Sequence, residues 1–576
     1  MHNVEIGFTF SQLADLKELA GENPFKIRAY RKAADILAGL DQPAGDLLAA
    51  GKLTDIPGIG RAIAAKVGEL LATSRLRALQ EAAARFPPGL IQVMELPGIG
   101  PKRARLLFDH LKVADTAELA AAAKAHKVRT VPGFGAKSEA DILHNLAVLD
   151  GRKGTIRLSL ARSLTAGLAG HLAVLPGVKR VIPAGPVRRW EELVNELNVV
   201  LLAADPAAVL AAVTVNPLVA GVTGQGGDFL IASTRWGVPL LVTAVAREGA
   251  FWAAVLWETG PRDHVERLAE LAVDRGLRLD RRGLRRDGRL LEDAGEEDIY
   301  GALGLPFLPP EVRGDGREVA GALALGPPRL LEPGAIRGDL HVHSRYSDGQ
   351  NSLAELVAAA RALGYEYLAA ADHSQSLKIA RGLDPDTLAA KNTAIDELNA
   401  VNPDFHLLKA AEVDIRPDGS LDYPAEVLAG LDVVVASVHS RFNLPAAEMT
   451  ERVVTAVKNE HVDILGHPTG RLLNSREPYA LDLERVLEAA ARHDTWLEVN
   501  ASPERLDLSA AHIALAAEYG VGLAIDTDAH DLSQLNDMAY GVALARKAAL
   551  EPAAVVNTLS TGELLHVLGR KSKKGS

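Results

Sequence analysis

The feature that most constrains the fold is a series of short apolar segments from residue 336 onward, each ending in histidine or carboxylate residues. Segments such as Tyr367–Ala371, Val433–Val438, Val462–Leu465 and Trp496–Val499 alternate with stretches rich in alanine and leucine. This rhythm is typical of buried parallel strands alternating with helices, and it predicts a (β/α) barrel. The carboxyl ends of all strands meet at one face of such a barrel, so we expect the polar residues to gather there.

The polar residues at these strand ends are of the types that bind divalent metal ions. His341 and His343 are two residues apart on a predicted strand, so their side chains share a face, and Asp528 and His530 repeat that spacing. The other strand ends, or the turns that follow them, carry Asp348, His373, Glu412, His439 and His467. Groups of this kind at one face would hold about two or three ions such as Mn²⁺ or Zn²⁺.

The amino-acid composition limits which side chains can bind a metal ion. The 576 residues include no cysteine, which excludes disulfides, thiolate nucleophiles and cysteine-ligated metal sites. Any metal must be held by histidine and carboxylates, and 11 of the 17 histidines lie after residue 335. No apolar stretch approaches the roughly 18 residues of a membrane span, and the N-terminus does not resemble a signal peptide. We therefore expect no membrane contact and a cytoplasmic location.

Charge is distributed unevenly along the chain, whose net charge is −11. Residues 336–576 carry 22 basic against 35 acidic side chains, whereas residues 51–140 carry 14 basic against 8 acidic ones. The acidic, histidine-rich part fits metal binding. The basic segment can follow a phosphate backbone, although an ordinary solvated surface accounts for the charge equally well.

Residues 10–150 have apolar residues at helical spacing, which predicts an all-helical array. A short repeat recurs within this region. The sequence Pro-Gly-x-Gly occurs at residues 57–60, 97–100 and 132–135, each time before a helical run. A glycine hairpin at a helix N-terminus exposes backbone N–H groups that bind phosphate without reading base sequence. These elements resemble helix-hairpin-helix motifs, and the candidate DNA-binding residues are Gly58, Gly60, Lys66, Gly98, Gly100, Lys102, Arg103, Gly133, Gly135 and Lys137.

The strand-end pattern, from about residue 336 to residue 570, resembles the PHP (polymerase and histidinol phosphatase) family of metal-dependent phosphoesterases. Metal ions clustered at such a site generate hydroxide from water and neutralise the oxygens of a phosphodiester. The resemblance implies that the metal ligands, and hence the catalytic residues, are His341, His343, Asp348, His373, Glu412, His439, His467, Asp528 and His530.

Helix-hairpin-helix repeats followed by a PHP barrel resemble the bacterial family X DNA polymerases. Residues 23–34 resemble the start of that family's 8-kDa domain, and residues 298–311 resemble its thumb. The resemblance implies a multidomain α/β chain with an N-terminal all-α helix-hairpin-helix array, an α+β palm and thumb, and a C-terminal distorted (β/α) PHP barrel. The implied domains are an 8-kDa-like helical domain at 1–80, helical fingers at 81–150, a nucleotidyltransferase-type palm at 151–235, a thumb at 236–315, a linker at 316–335 and the PHP domain at 336–576.

The palm motif departs from the family pattern. That pattern is Gly-Ser-x-Arg-Arg followed by Gly-Asp-x-Asp, whose aspartates bridge paired metals. Here residues 185–189 read Gly-Pro-Val-Arg-Arg, and the aspartate positions hold Glu196, Asn198 and, on the expected third strand, Leu241. One carboxylate of three remains, so binding of Mg²⁺ or Mn²⁺ in the palm should be weak. The resemblance implies that Gly185, Arg188 and Arg189 contact the nucleotide.

We therefore predict a DNA repair protein that binds gapped or nicked DNA or 3′ ends as a monomer. The PHP barrel would hydrolyse 3′ ends, and the palm would have weak or degenerate polymerase activity with dNTPs. Two alternatives are active gap filling despite the substituted carboxylates and a non-catalytic DNA-end scaffold. A small-molecule phosphatase would not explain three hairpins. Lys66 also occupies the place of a Schiff-base lysine that cleaves abasic sites in some relatives, and a phosphate contact is its alternative role.

Overall fold

The computed structural model describes residues 3–38, 40, 42–73, 76–87, 89–94, 96, 99–152, 154–216, 218–234, 236–291 and 295–574. The chain divides into two compact units. The first comprises residues 1–187, 193–258 and 281–283, and the second comprises residues 188–192, 259–280 and 284–576. Within the described ranges, no helix combines the length and the apolar character needed to cross a bilayer.

The first unit begins with the predicted all-helical array. Its helices have one apolar side each, and these sides pack into a common core that includes Phe10, Leu37, Val67 and Leu107. The helices are α1 (Asn3–Leu19), α2 (Pro24–Ala38), α3 (Ala44–Ala49), α4 (Arg61–Thr73), α5 (Arg77–Ala83), α6 (Leu90–Met94), α7 (Pro101–Leu111), α8 (Thr116–Lys124) and α9 (Ala136–Arg152).

A mixed α/β region follows. Its elements are β1 (Ile156–Arg157), α10 (Leu158–Ala173), β2 (Val178–Ala184), α11 (Gly185–Arg188), β3 (Leu193–Val194), β4 (Leu197–Ala203), α12 (Pro206–Thr214), β5 (Val219–Gln225), β6 (Phe229–Thr234) and β7 (Pro239–Val245). The five-stranded sheet has the order β2-β4-β7-β6-β5, with β4 parallel to β7 and the other pairs antiparallel. This sheet extends past residue 235, where we predicted the palm to end, because β7 is its central strand.

The predicted thumb contains α13 (Glu248–Thr259), α14 (Arg262–Asp274), β8 (Leu277–Asp280), β9 (Gly283–Arg286), β10 (Arg289–Leu290) and α15 (Glu296–Ala302). The segment predicted as a linker, 316–335, begins with a further helix, α16 (Arg317–Leu325). Glu318 of this helix lies 2.6 Å from Nδ1 of buried His264, whose Nε2 lies 2.7 Å from the hydroxyl of Tyr300. This part of the segment is therefore packed structure.

The remainder of the second unit is a parallel barrel, as predicted. Its seven strands pair in chain order, and a helix lies in each of the six connections because each parallel connection must cross over. A bridge between Val342 and Ala529 joins the end of the first strand to the residues just after the last strand. The elements are β11 (Gly338–Val342), α17 (Leu353–Ala362), β12 (Tyr367–Ala370), α18 (Pro385–Val401), β13 (His406–Asp414), α19 (Ala425–Leu428), β14 (Val433–Ser437), α20 (Ala446–Val457), β15 (Ile464–Leu465), α21 (Leu483–His493), β16 (Trp496–Asn500), α22 (Ala510–Glu518), β17 (Leu523–Asp526), α23 (Met538–Lys547) and α24 (Thr561–Lys574).

Candidate metal centre and nucleic-acid interfaces

The structure brings all nine predicted ligands together at the carboxyl edge of the barrel sheet. Each residue lies at the end of a strand or in the loop that follows it, because parallel strands all end at the same edge. The side chains of Asp348 and His530 are each 32% exposed, and the other seven are 12% exposed or less. The cluster is thus open to solvent on one side only.

The donor atoms form three overlapping groups, in each of which the atoms lie within 4.8 Å of one another. The groups are His343, Asp348, His373 and His530; His341, His343 and Asp528; and His373, Glu412 and His439. The ninth residue, His467, adjoins the third group, with Nε2 2.9 Å from Oε1 of Glu412. Because His343 and His373 each belong to two groups, the arrangement can hold more than one divalent ion at adjacent positions.

Glu412 lies at the centre of the cluster. Its two carboxylate oxygens face ring nitrogens of five histidines at the following distances: 2.9 Å for His467, 3.2 Å for His439, 2.7 Å for His373, 3.5 Å for His341 and 3.7 Å for His343. A carboxylate shared by so many imidazoles would be available to more than one ion, since both of its oxygens carry lone pairs.

Several buried polar atoms of the cluster have no hydrogen-bond partner, which is a further property expected of metal ligands. Among the described residues, His343 Nδ1, His373 Nδ1, His467 Nδ1 and Glu412 Oε2 are buried without a hydrogen-bond partner. His373 Nδ1 and Glu412 Oε2 approach to 2.7 Å, but their geometry is not that of a hydrogen bond. Buried polar atoms are normally satisfied, so converging donors without partners are what a metal site requires.

Sequence reasoning missed a layer of residues that orient the cluster. Glu498 on β16 lies 2.6 Å from Nδ1 of His341, and Asp414 lies 2.5 Å from Nδ1 of His439. Asp372 accepts hydrogen bonds from the backbone N–H and hydroxyl groups of both Ser344 and Ser347, which fixes the loop leading to Asp348. Carboxylates that bind the second nitrogen of a histidine set the tautomer and ring orientation of a ligand. The sequence signal for Asp372 and Asp414 was their position at or just beyond the end of a strand, whereas Glu498 lies in the middle of β16.

The electrostatics of the cluster keep its carboxylates ionised. Burial alone would raise the pKa of Glu412, but the surrounding histidines hold it well below its usual range. Burial alone would lower the pKa of His373, but Glu412 and Asp348 raise it to about 10. Burial and the neighbouring His373 and His530 lower the pKa of His343 to about 4. Burial also lowers the pKa of His467. The centre therefore holds ionised carboxylates together with neutral imidazoles at His343 and His467, the forms that bind a metal ion.

In the palm, Asn198 and Leu241 lie directly opposite each other on parallel strands β4 and β7. Asn198 is 2% exposed, and among the described residues its Oδ1 has no hydrogen-bond partner. Gly185 makes room for it, because a Cβ at that position would lie 2.2 Å from the same oxygen. Glu196 is half-buried just before β4. The structure thus pairs an amide with an aliphatic side chain at the two positions where we predicted that carboxylates of the family pattern are replaced.

A carboxylate that the sequence did not single out lies near Glu196. Burial raises the pKa of Glu258, at the end of α13; nearby Glu196 and Asp228 raise it further, while Arg281 and a hydrogen bond from Thr243 oppose the shift. Glu258 is therefore a further carboxylate, close enough to Glu196 of the palm motif for the two charges to interact.

The two arginines of the palm motif are engaged by protein groups of the second unit. Arg188 donates to Thr259 Oγ1 at 2.9 Å and forms a close ion pair with Glu296, which also pairs with Arg313 at 3.0 Å. Arg189 donates to the backbone carbonyl of Thr259. The nucleotide-binding role that we predicted for both side chains would require these contacts to be released.

Replacing Glu296 by alanine is expected to destabilise the second unit by about 3–5 kcal/mol, because buried Arg313 and half-buried Arg188 would lose their shared partner. Glu296 is 2% exposed and the side chain of Arg313 is fully buried. Urea denaturation measures the change. Glu266→Ala, which removes an exposed pair with Arg262, is the matched control and should change stability by no more than about 0.5 kcal/mol. Equal effects of the two variants would contradict the prediction.

The three glycine hairpins have the same local form where they are described. The residue between the glycines is buried in each, at Ile59, Ile99 and Phe134, and a helix starts two residues later. Gly58 and Gly133 have φ of +102° and +82°, which favour glycine. Open space surrounds the positions where a Cβ would stand at Gly60, Gly100 and Gly135, so backbone can approach a ligand closely there. Gly98 lies outside the described residues.

The basic residues that follow the hairpins differ in availability. Lys102 and Lys137 are exposed, and Lys66 is half-buried. Arg103 instead stacks on the ring of Phe134 at 4.2 Å and donates to Gly133 O at 3.2 Å, which joins the second hairpin to the third. The lysines are therefore the freer candidates for phosphate contacts in these hairpins.

Comparisons with known proteins agree with this division of the chain. Family models match as follows: a helix-hairpin-helix domain at residues 1–76, a SAM-like helix-hairpin-helix tandem at 90–146, a DNA polymerase beta thumb at 254–314 and a PHP domain at 339–502. Together with the clustered histidines and carboxylates, these matches define a polymerase-type DNA-binding protein joined to a PHP phosphoesterase barrel.

The chain belongs to the family X DNA polymerases that carry a PHP domain. It is 36% identical over 574 residues to the DNA polymerase/3′-5′ exonuclease PolX of Bacillus subtilis (strain 168), covering 99% of this chain and 100% of that protein. It is also 31% identical over 181 residues to a probable phosphatase of Thermoanaerobacter sp. (strain X514), covering 29% of this chain and 70% of the relative. A probable phosphatase of Vibrio parahaemolyticus (serotype O3:K6, strain RIMD 2210633) is 28% identical over 249 residues, or 41% of this chain and 94% of the relative.

Proposed function

We propose that this protein is a DNA repair enzyme that removes nucleotides from 3′ ends in its PHP barrel, with weak or degenerate DNA synthesis in its palm. The observation that carries the proposal is the convergence of nine histidine and carboxylate side chains into overlapping groups at one edge of the barrel. The full-length similarity to a DNA polymerase/3′-5′ exonuclease supports the choice of DNA as substrate.

We assign ion binding and ligand orientation to two different sets of residues in the barrel. The nine cluster residues would hold two or three ions, which we take to be Mn²⁺ or Zn²⁺ because the donors are imidazoles and carboxylates. When bound, the ions supply water activation and neutralise charge on the phosphodiester. Glu498 and Asp414 orient His341 and His439, while Asn500 Nδ2 donates to Asp528 at 3.2 Å. The exposed edge at Asp348 and His530 is the side from which a phosphodiester would enter.

The glycine hairpins and the palm would determine which DNA the protein binds and whether it extends that DNA. The hairpin lysines and glycines contact phosphates without reading sequence, which suits gapped or nicked duplexes and 3′ ends. In the palm, Glu196 would hold Mg²⁺ or Mn²⁺ only weakly and support residual use of dNTPs. We infer that the protein acts as a monomer in the cytoplasm.

The proposal is tested with a 5′-labelled gapped duplex and Mn²⁺, with and without dNTPs. We expect the wild-type protein to shorten the labelled strand and to extend it little. His341→Ala should lower the rate of shortening by about a thousandfold or more, whereas His493→Ala, which changes an exposed histidine of the same barrel, should leave it unchanged. Extension that dominates, and is lost in Glu196→Ala, would instead identify an active gap-filling polymerase.

A further inference from the structure

A lysine lies within the buried face of helix α18, at a position where an apolar residue would be expected. The buried residues of this helix are Leu388, Lys391 and Ile395, which follow one another at the spacing of a single helical face. Lys391 is fully buried, and lysine is almost never found so unless its charge is paired. The position therefore calls for specific partners.

The ammonium group of Lys391 contacts two neighbouring strands of the barrel. Its Nζ donates to the backbone carbonyls of Ala370, at the end of β12, and Ala410, within β13, both at 2.7 Å. The same atom lies 3.4 Å from Oδ2 of Asp372, which is also fully buried. Two carbonyls and one carboxylate account for the three N–H donors of an ammonium ion. The buried charge is thus fully partnered.

Asp372 connects this lysine to the backbone that carries metal ligands. Its carboxylate accepts hydrogen bonds from the backbone N–H and the hydroxyl of both Ser344 and Ser347, at distances between 2.6 and 3.1 Å. Ser344 directly follows one predicted ligand, Ser347 directly precedes another, and Asp372 directly precedes a third. These ligands are, in that order, His343, Asp348 and His373. Together with His530 they form one of the overlapping groups of donors.

We propose that Lys391 is a positioning residue for the metal ion held by this group, and that it acts through Asp372. The ammonium keeps the carboxylate in the interior, and the carboxylate fixes the serine loop. Without the ammonium, Asp372 would be a buried charge with no cation, and the loop would have to shift for that charge to reach water. Metal ligands must keep their geometry to within about 0.5 Å, so the shift would weaken binding. The inference rests on the proposed function, because it takes this group to be a metal site.

The test measures Mn²⁺ binding to the full-length protein by electron paramagnetic resonance. Lys391→Met keeps a long side chain but removes the ammonium. It should weaken the binding of one Mn²⁺ ion by about 10–100-fold, which is the usual effect of losing a group that orients metal ligands. Unchanged Mn²⁺ affinity in folded Lys391→Met would overturn the inference.

Lys409→Met is the matched control. It removes a lysine of β13 that pairs with Asp396 of α18 at 2.7 Å, so it breaks a pair between the same helix and the same strand. This pair is partly exposed, with side-chain exposures of 26% and 62%, and neither member contacts the metal cluster. Lys409→Met should therefore bind Mn²⁺ as tightly as the wild type.

A second variant keeps the inference testable if Lys391→Met does not fold. Lys391→Met/Asp372→Asn replaces both members of the pair, leaves no unpaired buried charge and should fold. Its binding of the same ion should still be at least about tenfold weaker, because an amide offers the serine donors one acceptor oxygen in place of two. Wild-type Mn²⁺ affinity in the folded double variant would overturn the inference.

Nuclease measurements separate positioning from a general loss of structure. The rate at which Lys391→Met shortens a 5′-labelled duplex should fall at low Mn²⁺ and recover at higher Mn²⁺, with the KM for DNA unchanged. A loss that added Mn²⁺ did not restore would indicate a structural role and overturn the inference. Wild-type protein that bound Mn²⁺ but did not shorten DNA would overturn the proposed substrate alone, and wild-type protein that bound no Mn²⁺ would overturn both proposals.

Discussion

Replacing Glu412 by glutamine is expected to lower the degradation of 3′ ends by about a thousandfold or more, equivalent to about 4 kcal/mol of transition-state stabilisation. Its carboxylate faces ring nitrogens of five histidines, so the change affects every overlapping ligand group around it. The amide nitrogen donates hydrogen bonds and offers no lone pair to a metal ion, and the negative charge that balances the ions is lost. The rate of shortening of a 5′-labelled duplex in Mn²⁺ measures the effect.

Glu460→Gln serves as the control, since it makes the same chemical change at an exposed position of the same barrel. Glu460→Gln should unfold at a denaturant concentration near that of the wild type in metal-free buffer. Glu412→Gln should unfold at a lower concentration, because buried His373 loses the carboxylate that raises its pKa, and its denaturation curve shows whether it is folded. If Glu412→Gln were folded and still shortened the strand at the wild-type rate, Glu412 could not be a metal ligand in the nuclease site.

The second large effect is a gain of DNA synthesis in the palm. The double variant Asn198→Asp/Leu241→Asp is expected to extend a primer at least about tenfold faster than the wild type. Residues 198 and 241 are direct partners on parallel strands, so two aspartates there would lie side by side and point to the same face. With Glu196 nearby, the palm would regain the carboxylates needed to hold paired Mg²⁺ ions.

The measurement is primer extension in a His341→Ala background, which removes degradation of the product. Adding Glu196→Ala to the double variant should abolish the gain, because one of the three carboxylates is lost again. A denaturation curve checks that the buried aspartates are tolerated. No gain of extension in a folded double variant would show that the substituted carboxylates are not what limits synthesis.

The barrel and its cluster could be predicted because their determinants are local and periodic. A buried parallel strand is a short apolar run, and a ligand such as His467 follows its end, so sequence order alone locates both. Glu498 and Asp414 were harder to identify as orienting groups. Their role depends on which histidine each one reaches across the sheet, and that is set by strand pairing and loop geometry.

The palm and thumb show the limits of motif reasoning more clearly. Arg188 matches a nucleotide-binding motif, but its partner Glu296 lies 108 residues further along the chain, and sequence spacing gives no sign of that pairing. The boundary at residue 235, which followed from the family resemblance, falls between β6 and β7, which are neighbouring strands of one sheet.

The most direct test of the central claim is the anomalous scattering from crystals of the protein grown with Mn²⁺. The account predicts two or three strong peaks at the carboxyl edge of the barrel, each within coordination distance of one of the overlapping groups around His343, Glu412 and Asp528. Peaks elsewhere, such as beside Glu196 in the palm, with none at the barrel edge would contradict the assignment of these residues as the metal centre.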